Sequence, residues 1–363
     1  MNGEARIMRE WSIALAALAL AIPAWAQVEP APGRPLRLAG EIADPPGAAP
    51  RRFVIDARLV EGDGPFQSRI EGWFASLEPV EAGAGEIEGT CVQERCAASV
   101  RLEPGELGLT GDFAGGGGGE AQAVLTDPWS DAPARAPSAV RLTPFGEEAP
   151  GLGRLAPRGS IGAHELTNLL AWTGVDLGFS NLDDREPDVR ERRGLADWQL
   201  ASGRAPSGLL LADDIEALRA EADAARRTAG WAPVTGAAWA PGYPAALLTP
   251  VAGQPGRFVS PDGQAELVWA LDPPMDEDAW DALVKRETAD REDDEDRGYT
   301  RVNDDFELTV TRGGQRLAFV WLNRPGGVAR MAFRSPPDDE AFSRLEPVLI
   351  RTFRLPDDFG ARE

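Results

Sequence analysis

The chain has 363 residues, enough for two or three separately cored domains, and its 43% hydrophobic content is ordinary for folded protein. Against 59 acidic residues stand 37 basic ones, of which Lys285 is the single lysine, so the formal charge is −22 at pH 7. A polyanion with no basic stripe repels nucleic acid and anionic lipid, which sets nucleic acid aside as an expected partner.

Residues 1–26 read as an export signal. Arg6 and Arg9 precede the apolar run Ile13 to Ile22, and Ala24-Trp25-Ala26 is a small-x-small cleavage site before Gln27. The run is shorter than the ~20 residues of a bilayer span, and no second one follows. The expectation is a periplasmic or secreted protein, released near Ala26, with no membrane span. Residues 27–37 are rich in proline and expected to be flexible.

From 38 to 146 the chain falls into short runs, RRFVIDARLV, SRIEGWFASL, EIEGTCV, AASVRLE, ELGLTGDF, AQAVLTD and AVRLTPF, broken by Gly, Pro or Asp. Such spacing predicts an antiparallel all-β sandwich or barrel. Cys91 and Cys96, the two cysteines, flank Val92 to Arg95 as across a tight hairpin, so a disulfide is expected. A metal site would need further ligands, and the one histidine, His164, is distant in sequence. The run Gly115 to Gly119 lacks the GK[ST] ending of a phosphate loop and reads as a hairpin connection.

Residues 147–159 (EEAPGLGRLAPRG) read as a linker. Beyond them the period changes to a helical one over 160–230. Leu166, Leu169, Leu170 and Thr173 mark one helix; Leu195, Trp198 and Gln199 mark a second. Ile215, Leu218, Ala222 and Ala225 mark a third, with Asp213 and Glu216 at capping-box spacing. The expectation is a small three-helix bundle. Residues 231–356 predict an α+β sandwich on an antiparallel sheet, followed by a tail at 357–363. Its signals are the hairpin turn Pro261-Asp262-Gly263, a helix facing inward through Trp280, Leu283 and Val284, and the meander FELTVTR, QRLAFVWLN, VARMAFR. A last helix presents Phe342, Leu345 and Leu349, and Pro347 is expected to kink or restart it.

Within LADWQLASGRAPSGLLLADDIEALR (195–219), Trp198-Gln199, Gly203, Ser207-Gly208, Leu210 and Leu218 follow one another in a recognisable order. With Leu195 and Arg192 ahead of them, this order resembles the bacterial peptidoglycan-binding domain, over residues 160–225. The resemblance implies a three-helix fold and a groove near Trp172, Asp184 and Trp198, with Arg192, Gln199, Ser207 and Gly208 as ligand-binding candidates for a stem peptide or sugar. The loop before the second helix departs from the family pattern. Arg185 and Asp188 stand where it has glycines, and Glu191 where it has threonine. The alternative reading is therefore that Trp198, Gln199 and Ser207 only hold the bundle together, in a spacer or docking unit. The C-terminal part resembles the PsbP-like α/β sandwich through GYPAALL (242–248), SPDG (260–263) and LIRTFRL (349–355), which implies an accessory or docking module.

No GxSxG-type turn or triad pattern is present, and His164 is too isolated to read as catalytic. The acidic run Glu287 to Gly298 lacks the spacing of a calcium loop and reads as solvated. Trp73, Trp269 and Trp321 sit in strand-like runs where a core role is expected. Neither a metal nor a cofactor is expected. The sequence thus predicts an exported, non-catalytic envelope protein that contacts peptidoglycan or a wall-associated protein. An envelope hydrolase using paired carboxylates is the second reading, and a purely structural helical unit in a protein adaptor the third.

Overall fold

The computed structural model describes residues 33–42, 51–62, 64, 66–78, 83–102, 105–114, 119–126, 138–177, 185–235, 239–289, 294–353, 355 and 359. The expected export signal, Asp184, most of the Gly115–Gly119 run and most of the tail lie outside these residues.

Eight strands form a closed antiparallel barrel in sequence order. They are β1 (Arg34–Ile42), β2 (Arg51–Glu61), β3 (Gln67–Glu78), β4 (Ala84–Val92), β5 (Arg95–Leu102), β6 (Gly105–Asp112), β7 (Gly119–Thr126) and β8 (Ser138–Pro144). Of the two all-β options, closure wins because β8 pairs back onto β1, Ile42 opposite Val140, which leaves no edge strand open. Strand β1 begins at Arg34, so it takes in the end of the stretch expected to be flexible. Alternate residues turn inward, among them Leu36 and Leu38, Phe53 and Ile55, Val100, Leu107 and Leu109, and these side chains fill the interior. Gly40 is required there: a Cβ would fall 2.0 Å from the Phe53 ring, which stacks on Phe74 at 5.0 Å. Cys91 and Cys96 stand directly opposite in β4 and β5, with Cα atoms 4.0 Å apart, and form the expected disulfide.

The connection at 147–159 is packed along its length. It carries a small ribbon, β9 (Glu148–Ala149) with β10 (Gly153–Arg154), and buries Ala149 and Leu155 against the barrel's outer face. Three helices follow: α1 (Ala163–Trp172), α2 (Val189–Ala201) and α3 (Ala212–Thr228). Helix α3 is not capped by Asp213. It starts at Ala212, and its N-cap, Leu211, has no side-chain acceptor to offer; its extended backbone instead bridges Leu155.

One short antiparallel pair leads into the last sheet, β11 (Trp231–Ala232) with β12 (Tyr243–Pro244). The sheet is antiparallel and seven-stranded, in the order β13 (Thr249–Pro250), β14 (Arg257–Val259), β15 (Glu266–Asp272), β19 (Gly327–Ser335), β18 (Gln315–Arg324), β17 (Asp305–Arg312), β16 (Asp294–Val302). Helix α4 (Glu277–Glu287) lays Trp280, Leu283 and Val284 with Phe306, Trp321 and Val328 on one face. Helix α5 (Glu340–Thr352) packs Phe342, Leu345 and Leu349 with Val320, Met331 and Phe333 on the other.

Two further details differ from expectation. Helix α5 runs unbroken through Pro347, held by buried Leu345, Val348, Leu349 and Ile350 on either side. The second half of the acidic run is the edge strand β16, where Asp294 is bonded by Arg312 at 2.6 Å. The helical unit's apolar residues, including Leu166, Leu170, Trp198 and Leu218, belong to one continuous cluster with Leu267, Trp269 and Leu349. Helices and sheet therefore share a core. Among the described residues, no helix is long and apolar enough to cross a membrane.

Candidate functional site

Helix α2 ends in Trp198-Gln199, and the loop to α3 folds back over that end. Gln199 is fully buried and uses both ends of its amide. Its Oε1 accepts from the Gly208 N–H at 2.8 Å, while its Nε2 donates to Asp214 at 2.6 Å and to the Leu209 carbonyl at 3.3 Å. Ser207 donates its hydroxyl to Gln199 Oε1 at 3.5 Å and accepts from the Leu209 N–H at 3.2 Å. Asp214 is paired with Arg204 at 2.5 Å, and that guanidinium lies over the Trp198 ring, 5.5 Å from its centroid. The Trp198 indole N–H donates to Glu221 at 2.8 Å. These buried polar groups are satisfied within the chain, as stability in a low-dielectric interior demands.

The same loop meets the barrel. Trp73, projecting outward from β3, donates its indole N–H to the Ser207 carbonyl at 2.6 Å. Gly208 has φ +64°, and a Cβ there would sit 2.7 Å from the Arg192 carbonyl and 2.8 Å from the Trp73 ring. Around this contact Val54, Trp73 and Ala75 of the barrel bury against Ala149, Leu155, Leu209 and Leu211. The expected core role of Trp73 is thus played outside the barrel, at a seam.

Of the remaining candidates, Trp172 is buried edge-on against Trp231, 5.1 Å between centroids, with the Arg226 guanidinium 5.5 Å from its ring. Trp172 and Trp198 both lie in the shared core. Arg185, Asp188 and Glu191 build an ion network at the start of α2. Arg185 binds the Glu191 carboxylate through two nitrogens at 3.0 and 3.1 Å, and Asp188 and Glu191 complete a capping box. Burial lifts the Glu191 carboxyl above its ordinary range, and Asp188 adds to this against the pull of Arg185.

Beside the seam lies a cavity of about 350 Å³, floored by the outer face of β1 to β4 and roofed by residues 155–161 and 186–192. Strand register builds the floor. Arg37, Asp56, Trp73 and Glu86 stand opposite one another across four strands, and Arg58, Glu71 and Glu88 form the next row. Arg37 bonds Asp56 at 3.1 Å, while Arg192 and Arg158 approach the same carboxylate at 3.9 and 4.0 Å. Arg58 is shared by Glu71 at 3.4 Å and Glu186 at 3.6 Å. Burial holds the Arg192 guanidinium below its ordinary pKa despite Asp56, and its Nη1 is buried without a hydrogen-bond partner. At the far end burial raises the Glu86 carboxyl, helped by Glu88 and Asp188 and opposed by Arg101 and Arg193. Glu86 and Glu88 are two residues apart on one strand, so they share a wall and do not face each other across a bond to be cut.

A larger cavity, about 1020 Å³, lies against strands of the same barrel and the turn Pro150 to Leu152. Its charged lining is balanced, Arg52, Arg95 and Arg141 against Glu41, Asp112 and Glu120. Among the described residues no group of three or more His, Cys, Asp or Glu side chains is placed to hold a metal.

Sequence reasoning named Arg192 but missed its companions Arg37, Asp56, Arg58 and Arg158. Their signal was available in part, since outward positions of β1 and β2 alternate charge with apolar residues. That the row converges on Arg192 depends on docking, which no local pattern encodes. Comparison with protein-family models, with curated proteins and with solved structures finds no match.

Proposed function

We propose that this chain is an exported, non-catalytic adaptor of the cell envelope, whose peptidoglycan-binding-like helical unit is a structural coupler between the barrel and the C-terminal sheet. One observation carries this reading: the residues that resemble a wall-binding signature spend their hydrogen bonds internally. Gln199, Ser207 and Trp198 are buried with partners inside the chain, and the Ser207 carbonyl is taken by Trp73 of the barrel. Turning these groups toward a stem peptide would break bonds whose unpaired buried ends cost about 1–3 kcal/mol each. Arg185, Asp188 and Glu191 likewise pair with one another. The Cys91–Cys96 disulfide suits an oxidising compartment, in keeping with the signal-like residues 1–26. The PsbP-like features of the C-terminal part favour docking over catalysis.

The test is sedimentation of the mature full-length chain with purified sacculi. The expected recovery equals that of a heat-denatured control; retention displaced by soluble wall fragments would overturn the coupler. A second arm reads the coupling itself. Trp73→Ala is expected to split a single calorimetric transition into two, and an unchanged single transition would count against the proposal.

A further inference from the structure

We infer that the 350 Å³ cavity beside the seam binds a short peptide with both termini unblocked, its carboxylate among Arg37, Arg158 and Arg192 and its ammonium at Glu86 and Glu88. The inference is independent of the coupler reading, since it concerns a different set of side chains.

The cavity is polarised along its length. At one end three guanidiniums surround the single carboxylate of Asp56, and only Arg37 is in full hydrogen-bond contact with it. With Glu186 also acting on Arg192, the three guanidiniums still outnumber the carboxylates there by one, and the buried Nη1 of Arg192 has no acceptor. A further carboxylate supplies what is missing, because arginine forks match carboxylate geometry and burial makes such a bond charge-assisted. Arg58 is already occupied by Glu71 and Glu186, so it does not compete for the ligand. At the other end Glu86 and Glu88 stand side by side on β4. The pKa of Glu86 is raised first by burial and then by Glu88 and Asp188, and these three carboxylates against Arg101 and Arg193 leave this end short of one cation. An ammonium group meets that need.

Distance selects the ligand. Asp56 and Glu86 stand on β2 and β4, two strands apart, which is roughly 10 Å at the ordinary strand spacing. A free α-amino acid is too short for that span, whereas two or three extended residues at about 3.3–3.6 Å each reach it. Between the ends lies the Trp73 ring, with Leu155, Ile161 and Leu210 also lining the cavity as apolar surface for small side chains. The volume is at the lower end of the usual range for small-molecule sites, which fits a tripeptide of small residues.

The experiment is isothermal titration of the full-length mature chain, with tryptophan fluorescence as a second readout. The probes are trialanine, its N-acetylated form, its C-terminal amide, alanine and inorganic phosphate. Trialanine is expected to bind, and blocking either terminus is expected to weaken it at least tenfold. Alanine is expected to bind at least tenfold more weakly than trialanine. Arg158→Gln, at a half-exposed position, is expected to lose tenfold for trialanine. Glu86→Gln is expected to lose affinity for trialanine while leaving the N-acetylated form unchanged. Unaltered circular dichroism and unfolding midpoints show that both variants are folded. No binding of trialanine at millimolar concentration overturns the inference. So does equal affinity for blocked and free peptides, or phosphate binding as tightly as trialanine, which marks a plain anion site.

Discussion

Gln199 ties the end of α2 to Ser207, Gly208, Leu209 and Asp214, and its replacement isolates what these bonds are worth. In Gln199→Leu the Gly208 N–H and the Leu209 carbonyl lose a partner inside the core, while Asp214 keeps Arg204. The expected loss is about 2–4 kcal/mol, read as a lower urea midpoint at constant slope. A loss under about 0.5 kcal/mol, the scale of an ordinary surface change, would mean that water replaces the amide. That Gln199, Ser207 and Gly208 matter was legible from their order along the chain. What they touch was not. The Ser207 carbonyl is met by Trp73, 134 residues away, and no spacing rule reaches that far.

At the scale of elements, strands were legible through period two and helices through their apolar faces, but helix starts were not. Asp213 and Glu216 have capping-box spacing, yet the box in this unit is Asp188 with Glu191. The reason is competition. Asp214 is drawn inward by Gln199 and Arg204, and Leu211 is held extended beside Leu155, so the N-cap of α3 falls two residues before Asp213, on a side chain that cannot cap. Asp188→Ala is therefore expected to cost about 1 kcal/mol, and Asp213→Ala less than about 0.5 kcal/mol, by thermal unfolding. The reverse order would restore the sequence-based assignment. Barrel closure was equally hidden, since it rests on the β1–β8 pairing of residues about a hundred positions apart.

At the scale of the whole molecule, the shared core places an ion pair where solvent cannot weaken it. Glu307 of β17 and Arg351 of α5 are both buried, 3.3 Å apart, and Asn168 of α1 donates to the Arg351 carbonyl at 3.4 Å, so the helical unit closes over this pair. Burial raises the Glu307 carboxyl above its ordinary 4.5, and Arg351 only partly offsets this. A raised carboxyl holds its proton more tightly in the folded state than in the unfolded one. Its contribution to stability is then complete below the ordinary value and is lost as pH rises through the folded value. Glu86 and Glu191 shift the same way, so the wild-type curve alone does not single out Glu307. The difference between wild type and Glu307→Gln does. At pH 7 the variant is expected to be less stable, because Arg351 loses its buried partner. The gap between the two proteins is expected to widen as pH falls from above the raised Glu307 value toward 4.5, measured as unfolding free energy at fixed salt. A gap that narrows over that window would require a Glu307 carboxyl with a depressed pKa, dominated by Arg351 and not by burial.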